Sequence, residues 1–268
     1  MRTNVRQLLC LVWLVTVPKL AMAQDTAQVV RRLTMAGAGY ASQLDTYISP
    51  EDYGGADVTL LTQSEYVKEG RRWSRMATHQ ANFWWGSYRS GNGSEISGDY
   101  TFSYTWLRQW VSAPLGNGQL SVKAGPAAWT RAGFLYNTRN SNNPAQAKLA
   151  LGCAPAGVAE WTFKAGRRPC MLRCELTVPL LGLMFTPQYG QSYYEIFSRG
   201  NYDHNLVVTT PVNSPSASMR LLFGMKWKRL YWTAGLQGDC LQAKVNHLKY
   251  HRYNALFLFG VSKQLRLL

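Results

Sequence analysis

The sequence contains no apolar run long enough for a membrane-crossing helix. Such a helix needs about 20 consecutive apolar residues. The run Leu8–Val17 falls short of that, and the longest later stretches, such as 178–185 (VPLLGLMF), are strand-sized. The first run follows Arg2 and Arg6 and precedes Ala21-Met22-Ala23, an A-x-A site. That order of positive, apolar and small residues is a cleaved signal peptide, with the mature chain starting at Gln24. Acidic residues are also scarce. Fourteen Asp and Glu oppose 29 Lys and Arg, a formal charge of +15, or +12 once Arg2, Arg6 and Lys19 leave with the leader. A nucleic-acid partner does not suit an exported chain whose basic residues are spread singly. Lipid phosphates and acidic glycans of an envelope suit it better.

Cysteine is equally sparse. Cys10 lies in the leader, and Cys153, Cys170, Cys174 and Cys240 remain. Cys170 and Cys174 stand ~13 Å apart at strand rise, too far to bond. There is no C-x-x-C and no His/Cys cluster at zinc spacing, so neither a disulfide framework, a metal nor a cofactor is expected. His247 and His251, four apart in "KVNHLKYH", suit a metal only on a helix, and no carboxylate stands beside them in the sequence.

What the chain does have is alternation. In "DYTFSYTWLRQW" (99–110), Tyr100, Phe102, Tyr104 and Trp106 alternate with Asp99, Thr101, Ser103 and Thr105. A period of two is a strand with one apolar and one polar face. The pattern recurs at Leu172–Leu180, Met219–Trp227, Trp232–Leu236 and Tyr253–Val261. Tight linkers at 68–71, 114–118, 165–168 and 227–229 alternate with stretches read as long loops at 43–57, 89–95, 137–146, 186–215 and 240–251. The fold these features predict is all-β: an antiparallel up-and-down transmembrane β-barrel of about ten strands. Leu206–Thr210 would fit a further strand, and with another uncertain segment the count would reach twelve; otherwise it descends from a large outer loop. Residues 24–268 form a single domain in this reading, because no linker divides them.

The polar faces decide between this barrel and a water-soluble sandwich or lipocalin-like barrel. They carry Thr, Ser, Gln, Gly and Ala with isolated charges of both signs, which suits a packed interior better than a wetted surface. Tyr100, Phe102, Tyr104 and Trp106 then face lipid. Trp84 and Trp85, Trp106 and Trp110, and Trp227 and Trp232 sit toward strand ends as an aromatic girdle. Ten strands enclose little space. Arg32, Lys123, Arg131, Lys148, Glu160, Arg173, Glu175, Arg220 and Asp239 would plug it, which leaves a narrow solute channel as a minor alternative.

Function is therefore sought in the outer loops. "GFLYNTRNSNNPAQAK" (133–148) offers Asn137, Arg139 and Asn140, which could bind sugar hydroxyls or a phosphate, although Asn and Pro also simply build turns. "MFTPQYGQSYYEIFSRGNYDHNLVV" (184–208) offers Gln188, Tyr189, Gln191, Tyr193 and Tyr194 as a binding loop. The same stretch holds the parts of a nucleophilic hydrolase: Ser192 or Ser198 as nucleophile, His204 as base, and Glu195 or Asp203 as orienting acid. Barrel lipases and lipid A deacylases place such a set at the outer rim. No G-x-S-x-G elbow is present, and adjacent Asp203 and His204 would point to opposite faces of a strand.

"GFLYNTRNSNNPAQA" and "PQYGQSYYEIFSRGNYDH", with "GYASQLDTYISPEDYGG" (39–55), resemble an uncharacterised family of Gram-negative envelope proteins of this size, known as a domain of unknown function. The resemblance covers nearly the whole mature chain. It implies an outer-membrane barrel and brings no activity, ligand or catalytic residue. The expectation is an outer-membrane protein that meets outer-membrane lipids and lipopolysaccharide, and that acts as a structural or binding component, with an envelope protein as possible partner. A lipid hydrolase is the alternative.

Overall fold

A computed structural model describes residues 28–267, apart from 69, 89, 90, 92 and 142. The expected leader and its cleavage site lie outside the described residues. The strands are β1 (Gln28–Asp45), β2 (Ser49–Lys68), β3 (Trp73–Tyr88), β4 (Ser94–Leu115), β5 (Gly118–Asn137), β6 (Ala145–Ala165), β7 (Arg168–Thr177), β8 (Leu181–Phe185), β9 (Leu206–Thr209), β10 (Ala217–Trp227), β11 (Leu230–Val245) and β12 (Leu248–Leu267). One short helix, α1 (Tyr193–Phe197), interrupts them.

Each of β1 to β7 pairs antiparallel with its neighbour in the chain, β7 pairs with β10, and β10, β11 and β12 follow in order. β12 returns to β1 in continuous register from Gln28↔Leu267 to Asp45↔Tyr250, which closes the sheet. The wall is thus a ten-stranded barrel. β8 and β9 add a hairpin, with β8 laid against Leu149–Cys153 of β6. The stretch 170–185 that reads as one strand is broken at 178–180, where Pro179 has no N–H to give a ladder.

Two expected loops are mostly strand. Residues 43–57 form the ends of β1 and β2 around a three-residue turn, with Pro50 in the irregularity between the Gln43↔Tyr53 and Asp45↔Ser49 pairs. Residues 240–251 extend β11 and β12 to a two-residue turn, where Asn246 and His247 have φ of 51° and 61°. This is the left-handed geometry of a tight hairpin, which Asn accepts readily. Pro, Gly and Asn mark a change of direction in the sequence but do not give its length.

The faces follow the alternation. Tyr100 and Trp106 are exposed on the outer wall, while Thr105 and Leu107 are buried inside. Inside, Leu33, Met35, Leu61, Leu222, Leu256 and Leu258 make an apolar cluster. Two assignments change. Arg31, not Arg32, points inward and pairs with Glu160, and Arg32 is exposed. Trp84 is fully buried and donates its indole N–H to the Ala41 carbonyl at 3.1 Å, so only its neighbour Trp85 belongs to the outer surface. Gly86 makes room for that indole, since a Cβ there would lie 2.3 Å from Trp84 Cζ2.

Topology also gathers what the sequence scatters. At the end of the barrel that carries the termini, the turns expose Arg71, Arg72, Arg167, Arg168, Lys228 and Arg229 together.

Candidate functional site

The lower interior is filled by charge. Arg173, on β7, reaches Glu65 at 2.9 Å, Glu160 at 2.9 Å and Glu175 at 2.6 Å. Lys123 pairs with Glu65 at 2.5 Å and Arg220 with Glu175 at 3.0 Å. These side chains come from five different strands and span the lumen. Because each charge has left water, its partners are what make burial tolerable. Higher up, Arg252 forks onto Asp57 at 2.8 and 2.9 Å and reaches Asp99 at 2.6 Å, while Lys148 pairs with Asp45. Of the residues expected in the lumen, all but Arg32 lie there. Cavities of about 150, 60 and 20 Å³ remain in the upper interior, and Arg131 and Tyr250 line all three.

Over this interior sits a cap built from three loops. The Tyr47 hydroxyl, in the β1–β2 turn, donates to the Gln191 carbonyl at 3.0 Å. Asn140 donates from its side chain to the Ile48 carbonyl at 2.9 Å. The Tyr193 hydroxyl accepts the Ala147 N–H at 2.7 Å, which ties α1 to β6. Burial pushes the Tyr47 hydroxyl up to about 12, with Tyr193 and Glu195 nearby adding to the effect. Beneath the turn, Ala41, Ile48, Tyr53, Trp84 and Leu135 form an apolar roof to the lumen.

Each candidate residue has a definite place. Asn137 is buried, donates to the Tyr53 hydroxyl at 3.0 Å and to Glu95 at 2.9 Å, and accepts the N–H of Arg139 and Asn140. Gln191 is the hub of the long loop: it accepts from the Gln188 N–H and from Asn205 and donates to the Asn201 carbonyl. Gln188 donates to the Asp203 carbonyl. Tyr189 and Tyr194 stand 75% and 62% exposed, the latter under the Arg199 guanidinium. Tyr47 and Tyr53 escaped sequence reasoning, because they bond to Gln191 and Asn137, 144 and 84 residues away.

The hydrolase candidates are divided. Ser192 caps α1: its hydroxyl accepts the Glu195 N–H at 3.2 Å and its own N–H donates to the Glu195 carboxylate at 2.7 Å, a reciprocal capping box to which the hydroxyl adds a bond to the carboxylate at 3.0 Å. The Ser192 N–H and hydroxyl hold the Glu195 carboxyl below the usual carboxylate range. Ser198 is the C-cap of the same helix. Asp203 and His204 do meet, at 2.5 Å between Oδ1 and Nδ1, because they lie in a turn in which His204 has φ of 51° rather than on a strand. Both are mostly exposed.

The chain belongs to an uncharacterised family: the model described as "Protein of unknown function (DUF3316)" matches residues 7–268. No curated protein matches its sequence. Among solved structures it is similar to the outer membrane protease OmpT from Escherichia coli, at 9% identity and a TM-score of 0.50, over 92% of this chain and 99% of that one. It is also similar to the transport unit of the autotransporter AIDA-I from Escherichia coli (7% identity, 92% and 93% covered, TM-score 0.44) and to the translocator domain of the autotransporter NalP from Neisseria meningitidis (10%, 91% and 90%, 0.37). The likeness to OmpT speaks for the fold alone, that of an outer-membrane β-barrel, since function belongs to sites rather than folds.

Proposed function

We propose that the protein resides in the outer membrane and serves the envelope as a binding or structural component through the loop end of its barrel. The observation that carries this reading is the cap: three loops remote in sequence are held as one surface, from which Tyr189, Tyr194, Phe197 and Tyr202 project at 62–75% exposure. Aromatic side chains on a pre-ordered platform lose little freedom on association. In barrels of this class both termini and the short turns face the periplasm, so the cap faces outward, toward lipopolysaccharide, while the wall meets membrane lipid. The aromatic platform fits an envelope protein as partner. The ion-filled lower lumen weighs against a free solute channel. Placing a photoreactive residue at position 197 in intact cells tests the reading. One dominant protein adduct is expected, lost when Tyr189, Tyr194 and Tyr202 are changed together to Ser. Adducts that survive that change would refute it.

A second reading, a hydrolase of membrane lipid esters, is favoured by the Asp203–His204 contact alone. His204→Ala distinguishes the two: loss of ester hydrolysis on phospholipid or lipid A, with the barrel intact, favours the enzyme, whereas unchanged cross-linking and no hydrolysis by either form favours binding.

A further inference from the structure

The wall is not uniform. Among the described residues, the pairing of β10 with β11 stops at Ala217↔Cys240, and β9 pairs with β8 alone. Residues 241–245 of β11 therefore have no strand on that side. The chain between β9 and β10, "TPVNSPS" (210–216), patches the gap. Lys244 donates its N–H to the Asn213 carbonyl at 2.7 Å, the Ser214 hydroxyl donates to the Gln242 carbonyl at 2.7 Å, and the Gln242 N–H reaches Ser216 Oγ at 3.2 Å. Pro211 and Pro215 cannot donate, so the patch cannot become a ladder. On the facing strand, Pro179 breaks the run between β7 and β8 at the same level.

The 150 Å³ cavity opens at this seam. Leu180 and Leu181 are successive residues, yet both line the cavity and both lie about half exposed, at 48% and 53%. On an unbroken strand they would point to opposite faces. Leu151, Leu183 and Val208, paired across β6, β8 and β9 next to Leu181, are exposed and make the neighbouring wall apolar. Deeper in, the same cavity is lined by Trp129, Arg131 and Arg252. The Arg131 Nε donates to Thr101 at 3.2 Å and lies 3.8 Å from Asp99, and its two terminal nitrogens have no partner among the described residues. The indole N–H of Trp129 and the Nε of Arg252 are buried without one. The lining carboxylates are already engaged: Asp99 by Arg252 and Asn82, Asp239 by Ser218 and Gln237. Donors are in surplus at the inner end and apolar side chains at the outer end.

We propose that this seam admits a single-chain carboxylate amphiphile, a long-chain fatty acid, from the membrane. Its head binds the Arg131 fork beside Trp129, and its chain leaves through the wall past Leu180 and Leu181. A cavity of this size holds a benzene ring, enough for the head and the first few carbons, and the remainder stays in lipid. This site is independent of the loop cap.

The test uses the full mature chain folded in phosphatidylcholine vesicles and hexadecanoic acid brominated near its carboxyl end, read by tryptophan quenching. The acid is expected to quench the native protein and to quench Trp129→Phe clearly less, because Trp129 touches the site. The methyl ester should bind about tenfold more weakly than the acid, as loss of a charged hydrogen-bond pair does. Arg131→Gln should bring the acid down to the level of the ester, while Arg131→Lys retains part of the difference. Equal quenching by acid and ester, or full quenching of Trp129→Phe, overturns the proposal. Displacement by acetate at equal affinity also overturns it, because the anion would then bind without a chain. If Arg131→Gln does not insert, the acid–ester comparison on the native protein decides.

Discussion

Below the level of Thr177 and Ser218, β7, β10 and β11 run side by side in one ladder, and the lumen is packed with ion pairs. Above that level β11 loses its partner on the β10 side, the lumen opens into cavities, and the 210–216 segment patches the wall there. The lower half behaves as a solid rod and the upper half as a roofed chamber with a side opening. The difference lies in what each lumen side chain can do. Below, each carboxylate is answered by a guanidinium or ammonium group. Above, Asp239 and Glu95 are answered only by hydroxyl and amide groups, the terminal nitrogens of Arg131 and the indole N–H of Trp129 are left unused, and the roof is made of amides and phenols.

The comparison can be broken most strongly from below. Arg173→Ala would leave Glu65, Glu160 and Glu175 without their common partner, and removing one member of a buried ion group costs about 3–5 kcal/mol. We expect the folded form, read by gel mobility without heating, to be lost or its urea midpoint in micelles to fall sharply. An unchanged midpoint would show that the lower half is not held by charge. Above, Asn137→Ala deprives the Tyr53 hydroxyl and Glu95 of a donor. It should cost about 1–3 kcal/mol, with protease sensitivity appearing in the loops at 138–144 and 46–48 before the wall gives way. Smaller still, Ser192→Ala removes the cap of α1 at about 1 kcal/mol. Its expected sign is faster amide exchange across 193–197 alone, with the wall undisturbed.

Titration gives the finest distinction. The Glu195 carboxyl is depressed by its bonds from Ser192. Its contribution is complete above the ordinary carboxylate range and is lost as pH falls through its lowered value. The Tyr47 hydroxyl is shifted the other way, from 10.0 to about 12. Its contribution is complete below pH 10 and disappears as pH rises through about 12. Amide exchange in the cap should therefore rise at both extremes while the midpoint of the lower half stays constant between them. A single transition shared by cap and wall would erase the distinction between the halves.

Much of the wall was legible in the sequence because a strand's two faces are written in alternate letters. Tyr100 and Trp106 outside, and Arg173 and Glu175 inside, follow from period two alone. Arg31 and Arg32 show where the method fails: two like residues in succession carry no phase, and only Leu33 and Met35, buried on the same face, settle which one turns inward. Trp84 and Trp85 fail in the same way. In the cap, local chemistry could be read and long-range contacts could not. The amides of Asn137 and Asn140 were legible as turn formers, whereas Ser192 and Glu195, read as parts of a hydrolase, form a helix cap. The bond from Tyr47 to Gln191 spans 144 residues and leaves no local trace. The seam was not read: the alternation was carried straight through Pro179, and that Pro179, Pro211 and Pro215 lie at one height is a property of the register.

The basic residues gathered at the terminus end make the barrel electrically lopsided along its axis. A sheet closed on itself has almost no dipole of its own, so Arg71, Arg72, Arg167, Arg168, Lys228 and Arg229 supply the polarity. Carrying that rim through a hydrocarbon layer is far harder than carrying the amide-rich cap, so spontaneous insertion into a preformed vesicle has a preferred direction: cap first, with the cationic collar left on the side from which the protein came. Trypsin added outside such vesicles would then reach the collar arginines in nearly every molecule.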